Sequence, residues 1–229
     1  VLKAAVQPAR LVESLDSAIE RRRAFLVDYQ DPALAARYLA LVQRVRAAEE
    51  QLGGTSLVLT DAVMKAYFKT LAYKDEYEVA RLHTATGFLD SLRRDYGNRA
   101  KLRFHLAPPF LNSKRDARGR PRKKEFGTWI VPFFRLLAKM RRFRGTRLDL
   151  FGMTAERRME RQLITEFESV VESLLQGLDK SKLENAANLV SLFLEIRGYG
   201  PVKEAAADKV RQQLAAGLAE FSEQRRAAA

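Results

Sequence analysis

Along most of the chain, apolar residues recur every three or four positions, the period of an amphipathic helix. Leu11, Leu15, Ile19 and Leu26 form such a stripe ahead of Tyr29. Asp31-Pro32 reads as an N-cap followed by proline at the first helical position. Leu34, Tyr38, Leu41, Val42 and Val45 carry the next stripe as far as Gly53-Gly54, which stop it. Thr60 is expected to cap a third helix with Val63, Tyr67, Leu71 and, beyond them, Val79 on one face, and Phe88 and Leu92 continue the helical pattern to Gly97. The period then changes. Leu102, Phe104 and Leu106 alternate with Arg103 and His105, which predicts a short half-buried strand over 101–107. Pro108-Pro109 end it, and Phe126 begins a return strand.

The helical period resumes at Trp129 and runs to Met140 with Pro132 in the first turn, until Gly145 breaks the chain. Thr154 caps a long helix with Met159, Leu163, Phe167, Val170 and Leu174 inside, and Gly177 closes it. Asp179 caps another, burying Leu183, Ala187, Val190 and Leu194. Residues 197–201 form a turn, and Val202, Ala206, Val210, Leu214, Leu218 and Phe221 line a final helix. The pattern therefore predicts a mainly α protein, a helical bundle-like domain with a small β-hairpin element around residues 101–128. Residues 1–54 read as a helical hairpin packed on the remainder, and residues 55–229 as an α-rich domain with a basic loop at 112–124.

Composition sharpens this in three ways. At 229 residues with 47% hydrophobic positions, the chain can bury roughly 70% of its unfolded surface and needs no disulfide or metal staple. It has no cysteine and two histidines, His83 and His105. That removes thiolate clusters and cysteine nucleophiles, and leaves little for zinc or a Ser-His-Asp triad. Its uncharged runs, such as Asn185 to Leu194, fall well short of the ~20 residues of a membrane span. No signal-peptide pattern opens the chain, the first residue is Val1 rather than Met, and a piece of a longer cytoplasmic protein is expected.

Third, 41 Lys and Arg stand against 28 Asp and Glu, a net charge of +13. The densest cationic run spans Ser113 to Lys124, with Lys114, Arg115, Arg118, Arg120, Arg122, Lys123 and Lys124 opposed only by Asp116. A second cluster follows at Lys139, Arg141, Arg142, Arg144 and Arg147. Phosphates require such cation density, yet the interleaved aromatics of a single-strand-binding surface are missing from the first run. A solvated loop, an acidic partner and a phosphorylated ligand all fit it.

Acidic residues gather at Asp75, Glu76 and Glu78, where Arg81 makes an ion-pair network the ordinary reading, and at Glu156 and Glu160, where Arg157 and Arg161 suggest a helix surface laced with salt bridges. No Glu-x-x-His follows, so a bridged metal pair is unsupported. His83 sits near a helix end, where imidazolium favours the dipole. His105 beside Arg103 on the polar strand face, and Arg197 and Lys203 around Gly198 and Gly200 at a helix start, are the remaining candidates for binding an anion or a partner.

Five strings carry a resemblance: AYKDEYEVARL (72–82), LRFHLAPP (102–109), RGTRLDLFG (144–152), TAERRMERQLI (154–164) and IRGYGPVKE (196–204). In this order, and with FLVDYQDPALAARY ahead of them, they resemble the C-terminal region of the fused indolepyruvate ferredoxin oxidoreductases, over nearly the whole chain. The resemblance implies an accessory domain, inactive alone, of an oligomeric cytoplasmic enzyme that oxidatively decarboxylates 2-oxoacids with coenzyme A and reduces ferredoxin. Thiamine diphosphate, magnesium and [4Fe-4S] clusters would lie in other domains of that enzyme. It also implies packing on those catalytic domains, with Arg103, His105, Arg120, Arg122, Lys123, Arg197 and Lys203 as candidates for meeting acidic ferredoxin or the phosphates of CoA. Pro201 stands where many relatives are expected to have His, so no role of that His carries over. The alternative is a free-standing basic helical protein that binds nucleic acid, motivated by the +13 charge and the two cationic clusters. A membrane-surface role ranks below both, because the final helix lacks a Trp anchor.

Overall fold

Capping residues divide this chain into its helices. In the computed structural model, which describes residues 13–53, 56–85, 87–97, 101–106 and 124–227 and side chains as far as Ser222, the Ser14 hydroxyl accepts from Ser17 N and opens α1 (Leu15–Tyr29). Asp31 accepts from Leu34 N and opens α2 (Pro32–Gln51), with Pro32 at its start. The helix ends at Gly53, whose φ of 71° is left-handed. Thr60, expected as the next cap, is instead inside α3 (Val58–Leu71). The Glu49 carboxylate caps that helix from the end of α2, accepting from Leu59 N at 3.0 Å, Thr60 N at 2.8 Å and the Thr60 hydroxyl at 2.7 Å. A buried carboxylate from a preceding helix thus satisfies donors that a local side chain usually serves.

Asp75 caps α4 (Glu76–Thr84) through Glu78 N. A short helix α5 (Phe88–Tyr96) follows and buries Leu89, while Phe88 is 40% exposed. Strands β1 (Phe104–Leu106) and β2 (Lys124–Phe126) pair antiparallel with Phe104 opposite Phe126, which makes the expected hairpin. Phe104 is buried and His105 exposed, as alternation requires. A 3₁₀ turn at Thr128–Ile130 leads into α6 (Val131–Lys139). Thr154 accepts from Arg157 N and opens α7 (Ala155–Gln176). After a 3₁₀ turn capped by Asp179 come α8 (Leu183–Ser191) and α9 (Pro201–Ala227). The protein is mostly helical with one two-stranded antiparallel sheet among the described residues.

Two apolar cores result. The larger is shared by α1, α2, α3, α7, α8 and α9. A line of rings crosses it: Tyr38 and Tyr67 stack at 6.0 Å, Tyr67 and Phe167 at 5.0 Å, and Phe167 meets Phe193 edge-on at 4.9 Å. The close approach of α8 to α9 depends on Gly217, where a Cβ would stand 2.3 Å from Leu189 Cδ2. The smaller core gathers Tyr77 and Ala80 of α4 with Leu89, Phe104, Ile130, Phe134, Leu137 and Phe151. His83 joins it, its ring stacked on Phe134 at 5.5 Å and edge-on to Phe104 at 5.4 Å. Burial, then the nearby Lys74 charge, hold this imidazole below its ordinary pKa.

Candidate functional site

Tyr77 and Asp75 lie where the two cores meet, and around them the charged residues turn inward. Asp75 grips Arg144 with two hydrogen bonds, 2.6 Å from Nε and 2.8 Å from Nη2. The Arg144 guanidinium also donates to Tyr29 O at 3.0 Å and lies 3.9 Å over the Tyr29 ring. Both partners are nearly sealed, with side chains 3% and 2% exposed. Burial works against the Arg144 charge, but the Asp75 hydrogen bonds outweigh it and hold the guanidinium more firmly protonated than usual. Next to this pair, Glu78 holds Arg81 at 2.7 and 2.8 Å.

The network continues toward the N-terminal end of α7. The Tyr77 hydroxyl donates to Asp149 Oδ1 at 3.1 Å and accepts from Leu150 N at 3.1 Å. Burial and then the Asp149 charge push its pKa up to about 12. Asp149 gathers three backbone donors, Gly145 N at 2.7 Å, Phe151 N at 3.2 Å and Gly152 N at 3.0 Å. A Cβ at Gly152 would stand 2.5 Å from Asp149 Oδ2, so glycine lets this carboxylate fold onto its own loop. Arg161 Nη2 donates to Gly152 O at 2.6 Å.

Arg157 stands among Glu76 at 3.3 Å and Glu156 and Glu160 at 3.8 Å, held by charge with no directed hydrogen bond from Nε or Nη1. Glu76 is pushed above the ordinary carboxylate range by burial, with Arg157 pulling the other way. Glu160 takes both hydrogen bonds of Lys203, at 2.7 and 2.6 Å, and Gly200 N donates to Glu156 at 3.4 Å. The 197–201 turn is thereby pinned to α7. Behind it, Lys69 caps the Phe193, Leu194 and Ile196 carbonyls at 3.2, 2.7 and 3.0 Å. Burial, then Arg197 and Lys203, lower its pKa to about 8.

This arrangement corrects one expectation. The pattern of 156–161 predicts a helix surface laced with salt bridges; the ion pairs are there, but Arg157 and Glu160 are only 6% and 4% exposed, so they lie inside and not on the surface. Alternation of charge along a helix looks the same whether its partners are solvent or a second buried face. The cluster at Asp75, Glu76 and Glu78 is an ion-pair network as read, with its main partners arriving from Arg144 and Arg157.

The other candidates fall in separate places. Arg103 reaches across the hairpin to Glu125 at 2.7 Å, and His105 sits exposed opposite Glu125 in the register. Arg197 is exposed and donates to Leu194 O at 3.0 Å, whereas Lys203 is engaged by Glu160. Arg120, Arg122, Lys123 and the basic run up to them lie outside the described residues.

Chemically, five cations of the network (Arg81, Arg144, Arg157, Arg161 and Lys203) face six carboxylates (Asp75, Glu76, Glu78, Asp149, Glu156 and Glu160). Such a balance fastens segments together and does not attract an anion. No group of three or more His, Cys, Asp or Glu among the described residues is placed to hold a metal. A cleft of about 700 Å³ between α2 and α7 is lined by Arg37, Arg44, Tyr67, Glu168 and Glu172. Its charges also cancel locally, Arg37 with Glu168 at 2.7 Å and Arg44 with Glu172. No described helix is long and apolar enough to cross a membrane.

The fold and this site define a helical domain organised around a buried, internally paired ion network. A family model described as a family of unknown function (DUF6537) matches residues 15–216, and the chain belongs to that family. No curated protein and no solved structure matches it.

Proposed function

We propose that the chain is the accessory domain of a thiamine-diphosphate- and iron–sulfur-dependent 2-oxoacid:ferredoxin oxidoreductase of the indolepyruvate type, and that its work is packing between domains or subunits. The support is a coincidence between sequence and geometry. Four of the five strings resembling those enzymes supply the buried network: Asp75, Glu76, Glu78 and Arg81 from the first, Arg144 and Asp149 from the next, Glu156, Arg157, Glu160 and Arg161 from the third, and Gly200 with Lys203 from the last. Residues that mark the resemblance serve to hold this domain's shape, which is what an accessory domain requires.

Around the same end of α7 stand exposed apolar side chains, Leu148, Leu150 and Met153 in the loop before it and Tyr199 and Val202 at the pinned turn, each more than half exposed. Apolar surface of this kind marks an interaction site, and catalytic domains of the same enzyme are its proposed cover. The cations of 112–124 would then speed the encounter with acidic ferredoxin or with CoA phosphates.

The test is the gene and then the enzyme. An open reading frame that continues upstream of Val1 into thiamine- and cluster-binding segments supports the reading, and one that begins at this chain overturns it. In the whole enzyme, Leu150→Asp with Met153→Asp should lower 2-oxoacid-dependent ferredoxin reduction and loosen the assembly in sedimentation. An unchanged assembly and rate would remove the packing role. Charge reversal of Arg120, Arg122 and Lys123 should flatten the ionic-strength dependence of ferredoxin reduction or weaken apparent CoA affinity. If neither changes, the docking role is lost.

A further inference from the structure

Helix α6 is apolar on two faces. Phe134, Leu137 and Ala138 point into the smaller core. On the other side Phe133 and Leu136 are 51% and 55% exposed, and Trp129, in the 3₁₀ turn that leads into the helix, is 71% exposed. Their spacing of four and three residues makes a single ridge about 10 Å long, two helical turns. An amphipathic surface helix ordinarily turns its apolar stripe to the core and its polar residues to water. This one leaves an aromatic ridge in water.

The ridge is also preorganised. Trp129 packs edge-on against Phe126 of β2 at 5.9 Å, and a Cβ at Gly127 would touch its ring at 3.4 Å.

The segment that carries it holds charge of one sign only. Between Phe126 and Leu148 the sequence contains no Asp or Glu and six cations. Arg144 is consumed by Asp75, and Arg141 turns back to Ala138 O at 3.1 Å. Arg135, Lys139, Arg142 and Arg147 are exposed and form no ion pair with a described residue. Arg135 and Lys139, one turn apart, run along one flank of the ridge, the opposite flank being the core contact.

We propose that this face docks an acidic amphipathic helix of a partner protein, whose apolar seam covers Trp129, Phe133 and Leu136 and whose carboxylates meet Arg135, Lys139 and Arg142. Three considerations select that occupant. The 4-3 spacing is the ridge that a partner helix's groove accepts. Cations on one flank suit a rod lying beside the ridge better than a flat anionic membrane. A second copy of the chain would bring like charges together at the rim. The proposal does not depend on which larger enzyme contains the chain.

Trp129 is the chain's only tryptophan, so its fluorescence reports this face directly. The full chain is titrated with a synthetic helix of Leu at seam positions and Glu elsewhere, with poly-L-glutamate, and with phosphatidylglycerol vesicles. The Leu/Glu helix should give a saturable blue shift that weakens with salt, while poly-L-glutamate gives none. Phe133→Ala and Leu136→Ala should each weaken binding roughly tenfold or more, as hot-spot truncations do. The exposed positions of both residues leave the fold intact, which circular dichroism checks. Arg135→Ala with Lys139→Ala should weaken binding and reduce its salt dependence. An equal shift with poly-L-glutamate, a shift with vesicles alone, or a shift that grows with the chain's own concentration would each overturn the proposal in favour of charge, membrane or self-association. No shift with the Leu/Glu helix overturns it outright.

Discussion

Arg142 and Arg144 stand two residues apart in one run of cations, yet they belong to different physical regimes. Arg144 is 6% exposed, doubly bonded to Asp75 and stacked on Tyr29, whereas Arg142 is exposed with no described carboxylate facing it. The same contrast separates the whole network at the α4–α7 junction from the α6 face. Inside, charges nearly cancel and every segment is tied to another. Outside, they add up. The lesson concerns the +13 total: the network's own cations are neutralised by its carboxylates, so the excess that a partner meets is carried by surfaces such as α6.

The largest test removes one member of the interior pair. Arg144→Met leaves Asp75 buried without its counter-charge and should cost about 3–5 kcal/mol in urea unfolding. Arg142→Met should stay within about 0.5 kcal/mol. Equal costs would erase the distinction between the regions. The double variant Asp75→Leu with Arg144→Met should recover part of the loss, since no lone charge remains. Full recovery is not expected, because Asp75 also caps α4 through Glu78 N at 2.8 Å.

Alkaline pH tests the interior as a group. Tyr29, Tyr38, Tyr67, Tyr73 and Tyr77 are all held above the ordinary phenol pKa, with burial the largest cause at each. The folded state therefore keeps protons that the unfolded chain releases near pH 10. The stabilisation is complete below that pH and is lost as pH rises through the folded values, with several protons contributing to the slope. Unfolding free energy against pH should drop steeply above about 10, and Tyr77→Phe should reduce the steepness. A flat profile would mean that these rings are open to solvent.

A smaller effect is expected at Glu49, the carboxylate that caps α3 from outside. Glu49→Leu leaves buried backbone donors at Leu59 and Thr60 without an acceptor and should cost about 1–3 kcal/mol in thermal or urea unfolding. A neutral result would show that α3 starts without this cap.

These residues also show where sequence reading succeeds and fails. Most of the helices, the hairpin and the caps at Asp31, Thr154 and Asp179 are legible because each depends on residues within a few positions of one another, whereas the break between α3 and α4, which puts Val79 on a second helix capped by Asp75, escapes that reading. Glu49 as a cap, and Arg144, Arg157 and Glu160 as buried groups, depend on partners between 10 and 81 residues away. A binary pattern assigns every charged side chain to solvent and hides them. The available signal was indirect. Carboxylates and tyrosines cluster at 73–78, a composition suited to enclosing a guanidinium, but nothing local names which arginine enters. The α6 ridge was hidden for the opposite reason. Its apolar residues count toward a core on both faces, and only the fold shows that one face lacks a cover.

The smallest prediction concerns the boundary between the regions. His83 is half-buried against Phe88, Phe104 and Phe134, and no carboxylate acts on its imidazole among the causes of its shift. Its folded pKa lies below the unfolded value, so the folded state resists taking up a proton. Stability from this group is present above the unfolded pKa of about 6.5 and declines as pH falls below it. One proton limits the slope to about 1.4 kcal/mol per pH unit, and partial exposure reduces it further. His83→Leu should remove that component between about pH 5 and 7 while leaving the alkaline drop of the tyrosines unchanged. If the acid slope survives the substitution, its source lies in the ion network, and the smaller core would share the titration behaviour of the larger structure it packs against.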